Sequence, residues 1–127
     1  MSEGRFATTI NCMDGRTQIP VIEWMKKKYG ADYVDSVTEP GPIKLLAEGD
    51  DLDRLDSIKR RVMISTEKHG SRAIAIVGHH DCAGNPCDCE TQIGQIKKAI
   101  ALVKSWNTGA EVVGVYVDEN WQVSEVG

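Results

Sequence analysis

The chain has 127 residues, of which 41% are hydrophobic and 27% charged; this suits one globular domain over 1–127 with a sizeable core and excludes a disordered chain. Its net charge of −4 and pI near 5.3 exclude the basic face that a nucleic-acid partner requires, and the one basic cluster, Lys26-Lys27-Lys28, reads as the solvated side of a helix. No apolar run reaches membrane-spanning length, and no apolar stretch follows Met1-Ser2-Glu3-Gly4-Arg5 as it would in a signal peptide. A cytoplasmic location is therefore expected, where the four cysteines are thiols or metal ligands rather than disulfides.

In chain order, Phe6 to Ile10 reads as a strand that ends at Asn11-Cys12. Thr17 is placed to cap a helix running through Tyr29, with Ile19, Val21, Ile22, Met25 and Tyr29 as its apolar stripe, Pro20 in the first turn and Gly30 just past the end. Tyr33 to Val37 reads as a second strand. The turn Glu39-Pro40-Gly41-Pro42 follows, then a short helical piece around Ile43 to Ala47. Asp50 or Asp51 opens a longer helix with Leu52, Leu55, Ile58 and Val62 inward, early acids and later Lys59, Arg60 and Arg61 matching the helix dipole, and Gly70 closing it.

Ala73-Ile74-Ala75-Ile76-Val77 is a continuous apolar run, the pattern of a strand covered on both faces, and it leads directly into Gly78-His79. A helix from about Thr91 to Trp106 carries Ile93, Ile96, Ile100 and Val103 on one side. Glu111 to Val117 is a fourth strand, Asp118-Glu119-Asn120 a turn, and Trp121 to Val126 a short returning strand. The alternation predicts an α/β fold: a mostly parallel sheet with helices on both faces, in three Rossmann-like layers. In such sheets ligands sit beyond the carboxyl ends of the strands. Cys12 and His79 fall at two such ends.

Two blocks carry chemistry. Cys12-Met13-Asp14-Gly15-Arg16 follows the first strand, and Gly78-His79-His80-Asp81-Cys82-Ala83-Gly84 follows the apolar one. Cys12, His79 and Cys82 together make a Cys₂His set suited to zinc: two thiolates and a neutral imidazole balance the ion's charge, and three protein ligands leave a fourth position for an acidified water. Thiolates donate more charge than imidazoles, so alkaline pH is expected to favour the reaction. In an extended segment, residues two apart share a side. Asp14 is thus placed either to accept a hydrogen bond from the metal's water, with Arg16 fixing it by a bidentate pair, or to fill the fourth position itself.

Cys-x-Asp-x-Arg followed by Gly-His-x-x-Cys-x-Gly resembles the β-class carbonic anhydrases. The resemblance extends to Ser36-Val37-Thr38-Glu39-Pro40-Gly41, where that family has a strand leading to an Arg-Asn-Ala-Gly-like turn, and to Val113-Gly114-Val115-Tyr116-Val117 through Trp121-Gln122-Val123, its last strand and hairpin. It implies zinc held by Cys12, His79 and Cys82, with Asp14 and Arg16 as an orienting or gating dyad. It implies a lyase in which zinc hydroxide attacks carbon dioxide to give bicarbonate, and a homodimer or a pair of dimers. The chain departs from the family in several places. Only ten residues precede Asn11, without the family's helical arm or its substrate-binding glutamine; Glu39-Pro40-Gly41-Pro42 replaces the usual turn; and Ala83-Gly84 stands where two glycines are usual.

These departures keep two other readings open: a zinc hydrolase acting on carbonyl sulfide or carbon disulfide, and a non-catalytic zinc domain closed by Asp14. Cys87-Asp88-Cys89 has three readings (a second metal site, a redox pair, or two loop thiols), and the last leads because two partner ligands are missing. Asp88 also suits the cap of the following helix. His80 reads as solvated and stands outside the catalytic set, Asp81 reads as a loop cap, and His69 suits a helix C-terminus. Trp24, Trp106 and Trp121 are expected in the core or at an interface.

Overall fold

A computed structural model describes residues 4–126. The elements follow the order β1 (Phe6–Cys12), α1 (Gln18–Tyr29), β2 (Tyr33–Glu39), α2 (Pro42–Glu48), α3 (Leu52–Glu67), β3 (Ala73–His79), α4 (Cys89–Lys104), β4 (Glu111–Val117) and β5 (Val123–Val126). They form one sheet of order β2-β1-β3-β4-β5, parallel except for the β4–β5 hairpin. All seven residues of β3 are buried, as its unbroken apolar run requires of a central strand.

Alternation along the strands divides the core. Ile10, Ile74, Ile76 and Tyr116 pack with α2, α3 and α4 through Leu46, Leu55, Ile58, Val62 and Ile96. Ala7, Ala73, Ala75, Val77, Val113 and Val115 face α1 through Val21 and Met25, with Trp24 and Trp121 partly covering the edge. The face with one helix thus takes the smaller side chains. No helix of the described residues is long and apolar enough to cross a membrane.

Several boundaries differ from the sequence expectation. β1 and β2 each run two residues further, to Cys12 and Glu39, because the two strands pair in register as far as Cys12↔Glu39. Asp88 caps α4 by accepting from the Thr91 amide at 2.8 Å, so that helix starts at Cys89 rather than Thr91. Asp51 caps α3 in the same way, through Arg54. Thr17 precedes α1 without a side-chain cap, since its hydroxyl donates instead to Asn11 Oδ1 and the Asp14 carbonyl.

Ile19 is 67% exposed and Leu52 73%, so both leave their predicted stripes; each sits in the first turn of its helix. The last turn of α3 holds no basic residue, because Lys59, Arg60 and Arg61 fall mid-helix. The returning strand begins at Val123, and Trp121 belongs to the turn before it.

The amino half of the sheet is closed by a polar network. Thr8 Oγ1 bonds Ser65 Oγ (2.6 Å) and Ser71 Oγ (2.7 Å), while Ser65 donates to Asp35 Oδ2 (2.6 Å). His69 Nδ1 meets the same carboxylate oxygen at 2.6 Å and its ring stacks on Phe6. His69 therefore has a carboxylate partner beyond the end of α3, in addition to the dipole expected from sequence.

Candidate metal centre

From β1 the chain passes through α1 to β2 on one edge of β1 and later places β3 on the other edge, so the crevice between the carboxyl ends of β1 and β3 is the switch point of this topology. Cys12 is the last residue of β1 and His79 the last of β3; the loop after β3 brings Cys82 back to them. The three ligand atoms lie within 4.8 Å of one another, all three residues are buried, and they could hold a metal ion. Among the described residues they are the one such group of three or more histidine, cysteine or acidic side chains. The Cys12 and Cys82 sulfurs are 3.8 Å apart. Two thiolates about 2.3 Å from a tetrahedral zinc ion would stand about that far apart.

His79 Nδ1 lies 2.7 Å from the His80 carbonyl, which fixes the proton on that nitrogen and leaves Nε2 as the free donor. Nε2 is buried with no hydrogen-bond partner. A buried unpaired ring nitrogen costs free energy unless something binds it, and this one lies beside two sulfurs. The donor set therefore fits zinc.

The surroundings favour thiolate at Cys12. Pairing with the Cys82 sulfur is the main cause that holds the Cys12 thiol below its ordinary value; His79 and the backbone N–H groups of Gly41 and Asp14 add to it against burial. Cys82 is driven up by the same pairing, although the Gly84 and Asn85 amides point at its sulfur. For His79, burial works downward, but the Cys12 sulfur and the His80 carbonyl carry the pKa up.

The turn Glu39-Pro40-Gly41-Pro42 forms one wall. Met13 N–H continues the β1–β2 ladder to the Glu39 carbonyl (3.1 Å), and Arg61 of α3 bonds the Glu39 carboxylate. Gly41 has φ 59°, and a Cβ there would come within 2.8 Å of Gly84 backbone and Asn85 Cβ. Glycine at 41 and 84 thus lets the two loops touch back to back while Gly41 N–H serves the Cys12 sulfur.

Asp14 and Arg16 meet as the spacing suggests. Arg16 Nε is 3.0 Å from Asp14 Oδ1, Nη2 is 2.6 Å from Oδ2, and the Arg16 amide adds a 2.9 Å bond to Oδ1. Arg16 is the chief cause that holds the Asp14 carboxyl down at about 2. The carboxylate therefore faces Arg16 and stays ionised. Gln18 Nε2 donates to the carbonyls of Cys12 (2.7 Å) and Asp14 (3.0 Å), tying the start and the middle of the first block to α1.

Sequence reasoning passed over Gln92, Gly78, Gly41 and Gln18 as contributors and gave Asp81 another role. Gln92, 1% exposed, reaches from α4 to donate to the His79 carbonyl (2.8 Å) and accept from the His79 amide (2.9 Å). Gly78 makes room for it, since a Cβ there would meet Gln92 Oε1 at 2.7 Å. A glutamine in line with Ile96, Ala99 and Val103 on the buried stripe was the available signal. Gly41 and Gln18 act through backbone contacts that no motif marks. Asp81, read as a loop cap, instead bonds Arg16 through its carboxylate (3.3 Å) and its carbonyl (3.1 Å).

The side chain of His80 is exposed, and its main chain serves His79 and Val117. Cys87 and Cys89 stay outside the metal group; they line a cleft of about 820 Å³ with Cys82, Tyr116, Asp118 and Glu119. Burial, and then Cys89, pushes the Tyr116 phenol up to about 12.

Similarity to known proteins agrees with this arrangement. The fold is similar to that of a carbonic anhydrase from Streptococcus mutans (20% identity, TM-score 0.61, covering 94% of this chain and 81% of that one). It is similar to a β-carbonic anhydrase of Trichomonas vaginalis (16%, 0.60, 94% and 81%) and to a carbon disulfide hydrolase (14%, 0.61, 98% and 80%). At these identities the likeness is one of fold. A comparison with curated protein sequences gave no match. A sequence family described as "Putative carbonic anhydrase" matches residues 2–127. The chain belongs to that family, as a short and divergent relative of the β-class carbonic anhydrases.

Proposed function

We propose that this protein is a zinc-dependent carbonic anhydrase, a lyase that hydrates carbon dioxide reversibly to bicarbonate, with Cys12, His79 and Cys82 holding the metal. The observation that carries the reading is the buried, unpartnered His79 Nε2 beside two sulfurs 3.8 Å apart. Bound zinc supplies the charge that acidifies a water near neutral pH.

The chain's own groups do the rest. Gly41, Gly84 and Asn85 amides stabilise the two thiolates. The His80 carbonyl keeps His79 in the tautomer that frees Nε2, and Gln92 fixes its backbone. Asp14, ionised and turned by Arg16, accepts a hydrogen bond from the attacking water and orients it toward the substrate. The chain acts as a cytoplasmic homodimer; Met13 (65% exposed), next to Cys12 in the chain, supplies apolar surface for the partner copy.

Stopped-flow carbon dioxide hydration on protein carrying stoichiometric zinc tests the reading. Activity that rises from neutral to alkaline pH and disappears in Cys12→Ser is expected. Zinc-loaded protein inert up to about pH 9, where zinc-bound water should ionise, would reject it. A zinc hydrolase of carbonyl sulfide or carbon disulfide is the second reading. It is supported by the altered pocket wall at Glu39-Pro40-Gly41-Pro42 and by the fold likeness to a carbon disulfide hydrolase. Sulfide release with no carbon dioxide hydration would favour it.

A further inference from the structure

Among the described residues, three other than glycine have a left-handed backbone: Asp81 (φ 58°), Asn107 (φ 53°) and Trp121 (φ 59°). Two of the three touch the same side chain. The Arg16 guanidinium lies over the Trp121 ring at 4.6 Å from its centroid, and Asp81 takes Nη1 on its carboxylate and Nη2 on its carbonyl. For a residue as bulky as tryptophan this conformation is a real outlier, and it persists only where the surroundings impose it.

Those surroundings are visible. Trp121 N–H donates to the Asp118 carbonyl (2.9 Å), and Asp118 N–H donates to the Gln122 carbonyl (3.0 Å). Asp118 Oδ1 accepts from the amides of Asn120 and Gln122, both at 2.9 Å. The turn before β5 is thus held on both sides of Trp121, and the ring packs on the core cluster between the sheet and α1.

Arg16 itself is nearly half exposed, and a single ion pair to an exposed aspartate would hold it weakly. Its edges are nevertheless taken up by Asp14 and Asp81, and the Trp121 ring covers a face. A guanidinium stacked on an aromatic face is attracted by the ring's π cloud and loses rotational freedom.

We propose that Trp121, with the turned-in carbonyl of Asp81, is a positioning residue that fastens Arg16 beside the metal pocket independently of Asp14, and so keeps the Asp14 carboxylate off the metal position. This rests on the carbonic anhydrase reading for its catalytic consequence but not for its geometry. Neither residue touches substrate or metal; both act through Arg16. Without Trp121, Arg16 can swing toward solvent, and Asp14 is free to turn to the cation.

Two readouts test it. In metal-free protein, NMR of the Arg16 side chain should show upfield ring-current shifts that survive in Asp14→Asn and are lost in Trp121→Leu. In zinc-loaded protein, Trp121→Leu should lower carbon dioxide hydration about tenfold, as loss of a supporting partner does. Trp121→Phe, which keeps an aromatic face, should restore most of it. Trp106→Leu, from the core cluster on the other face of the sheet, should change neither readout. Retained zinc stoichiometry and an unaltered circular dichroism spectrum exclude misfolding.

Arg16 signals unchanged in Trp121→Leu, or ring-current shifts that vanish in Asp14→Asn, would overturn the proposal. So would full hydration activity in folded Trp121→Leu. If zinc-loaded wild type hydrates no carbon dioxide, the catalytic reading fails, and the NMR comparison alone still decides whether Trp121 holds Arg16.

Discussion

The two ends of the sheet treat their polar groups in opposite ways. At the amino half, Thr8, Ser65, Ser71, Asp35 and His69 satisfy one another through bonds of 2.6–2.7 Å. At the carboxyl end, two cysteine sulfurs and a histidine nitrogen converge, and the nitrogen has no partner. Buried polar groups are equally costly at either end. A closed network is what stability alone selects. A convergent set with an orphan donor points instead to a ligand, and its amide-supported sulfurs point to a cation.

That contrast makes the largest expected effects fall at the carboxyl end. Cys12→Ser or His79→Ala should abolish stoichiometric zinc, read by elemental analysis, and reduce hydration to background. Gln92→Leu should follow. It strips both partners from the His79 main chain, which costs stability at about 1–3 kcal/mol for each buried group left unpaired and weakens zinc retention about 10–100-fold. Competition with a chromogenic chelator and denaturant titration measure the two parts.

At the amino half the effects should divide differently. Asp35→Ala leaves Ser65 and His69 without their acceptor and should cost about 1–3 kcal/mol by denaturant titration, with zinc content and hydration unchanged. A loss of zinc in Asp35→Ala would break the comparison.

The smallest effect is one of pH. Burial, followed by the hydrogen bond to Glu111, raises the Tyr29 phenol above its ordinary value. The folded state therefore prefers the protonated phenol. Its contribution is complete below the unfolded value of about 10 and is lost as pH rises through the raised folded value. Thermal melts of wild type should fall more steeply above about pH 10 than those of Tyr29→Phe; parallel curves would remove Tyr29 from the account.

The sequence carried the chemistry of the carboxyl end better than its support. Cys12, His79 and Cys82 were legible because soft ligands at strand ends are rare without a metal, and the strand Ala73–Val77 was legible because unbroken apolar runs have few other uses. The element order followed from periodicity. Ile19 and Leu52 misled because a stripe gives a direction but not which of its turns is covered.

Gln92 was hidden because a polar residue on a buried stripe looks like an exception until its partner is known. Gly41 and Gln18 act through the backbone, which side-chain patterns do not mark. Trp121 was readable as core, yet neither its left-handed backbone nor its stacking on Arg16 has a sequence signature. The amino-half network was invisible because Thr8, Asp35, Ser65 and Ser71 meet only after the strands and α3 have packed.

The most direct measurement is zinc-edge X-ray absorption on the loaded protein at neutral pH, in wild type and Asp14→Asn. The account predicts two sulfur scatterers at about 2.3 Å and two lighter ones, one with imidazole multiple scattering, with the same shell in the variant. A lighter scatterer that disappears in Asp14→Asn would place the carboxylate on the metal. A four-sulfur shell would recruit Cys87 and Cys89. Either would contradict a three-ligand centre that Asp14 attends from outside.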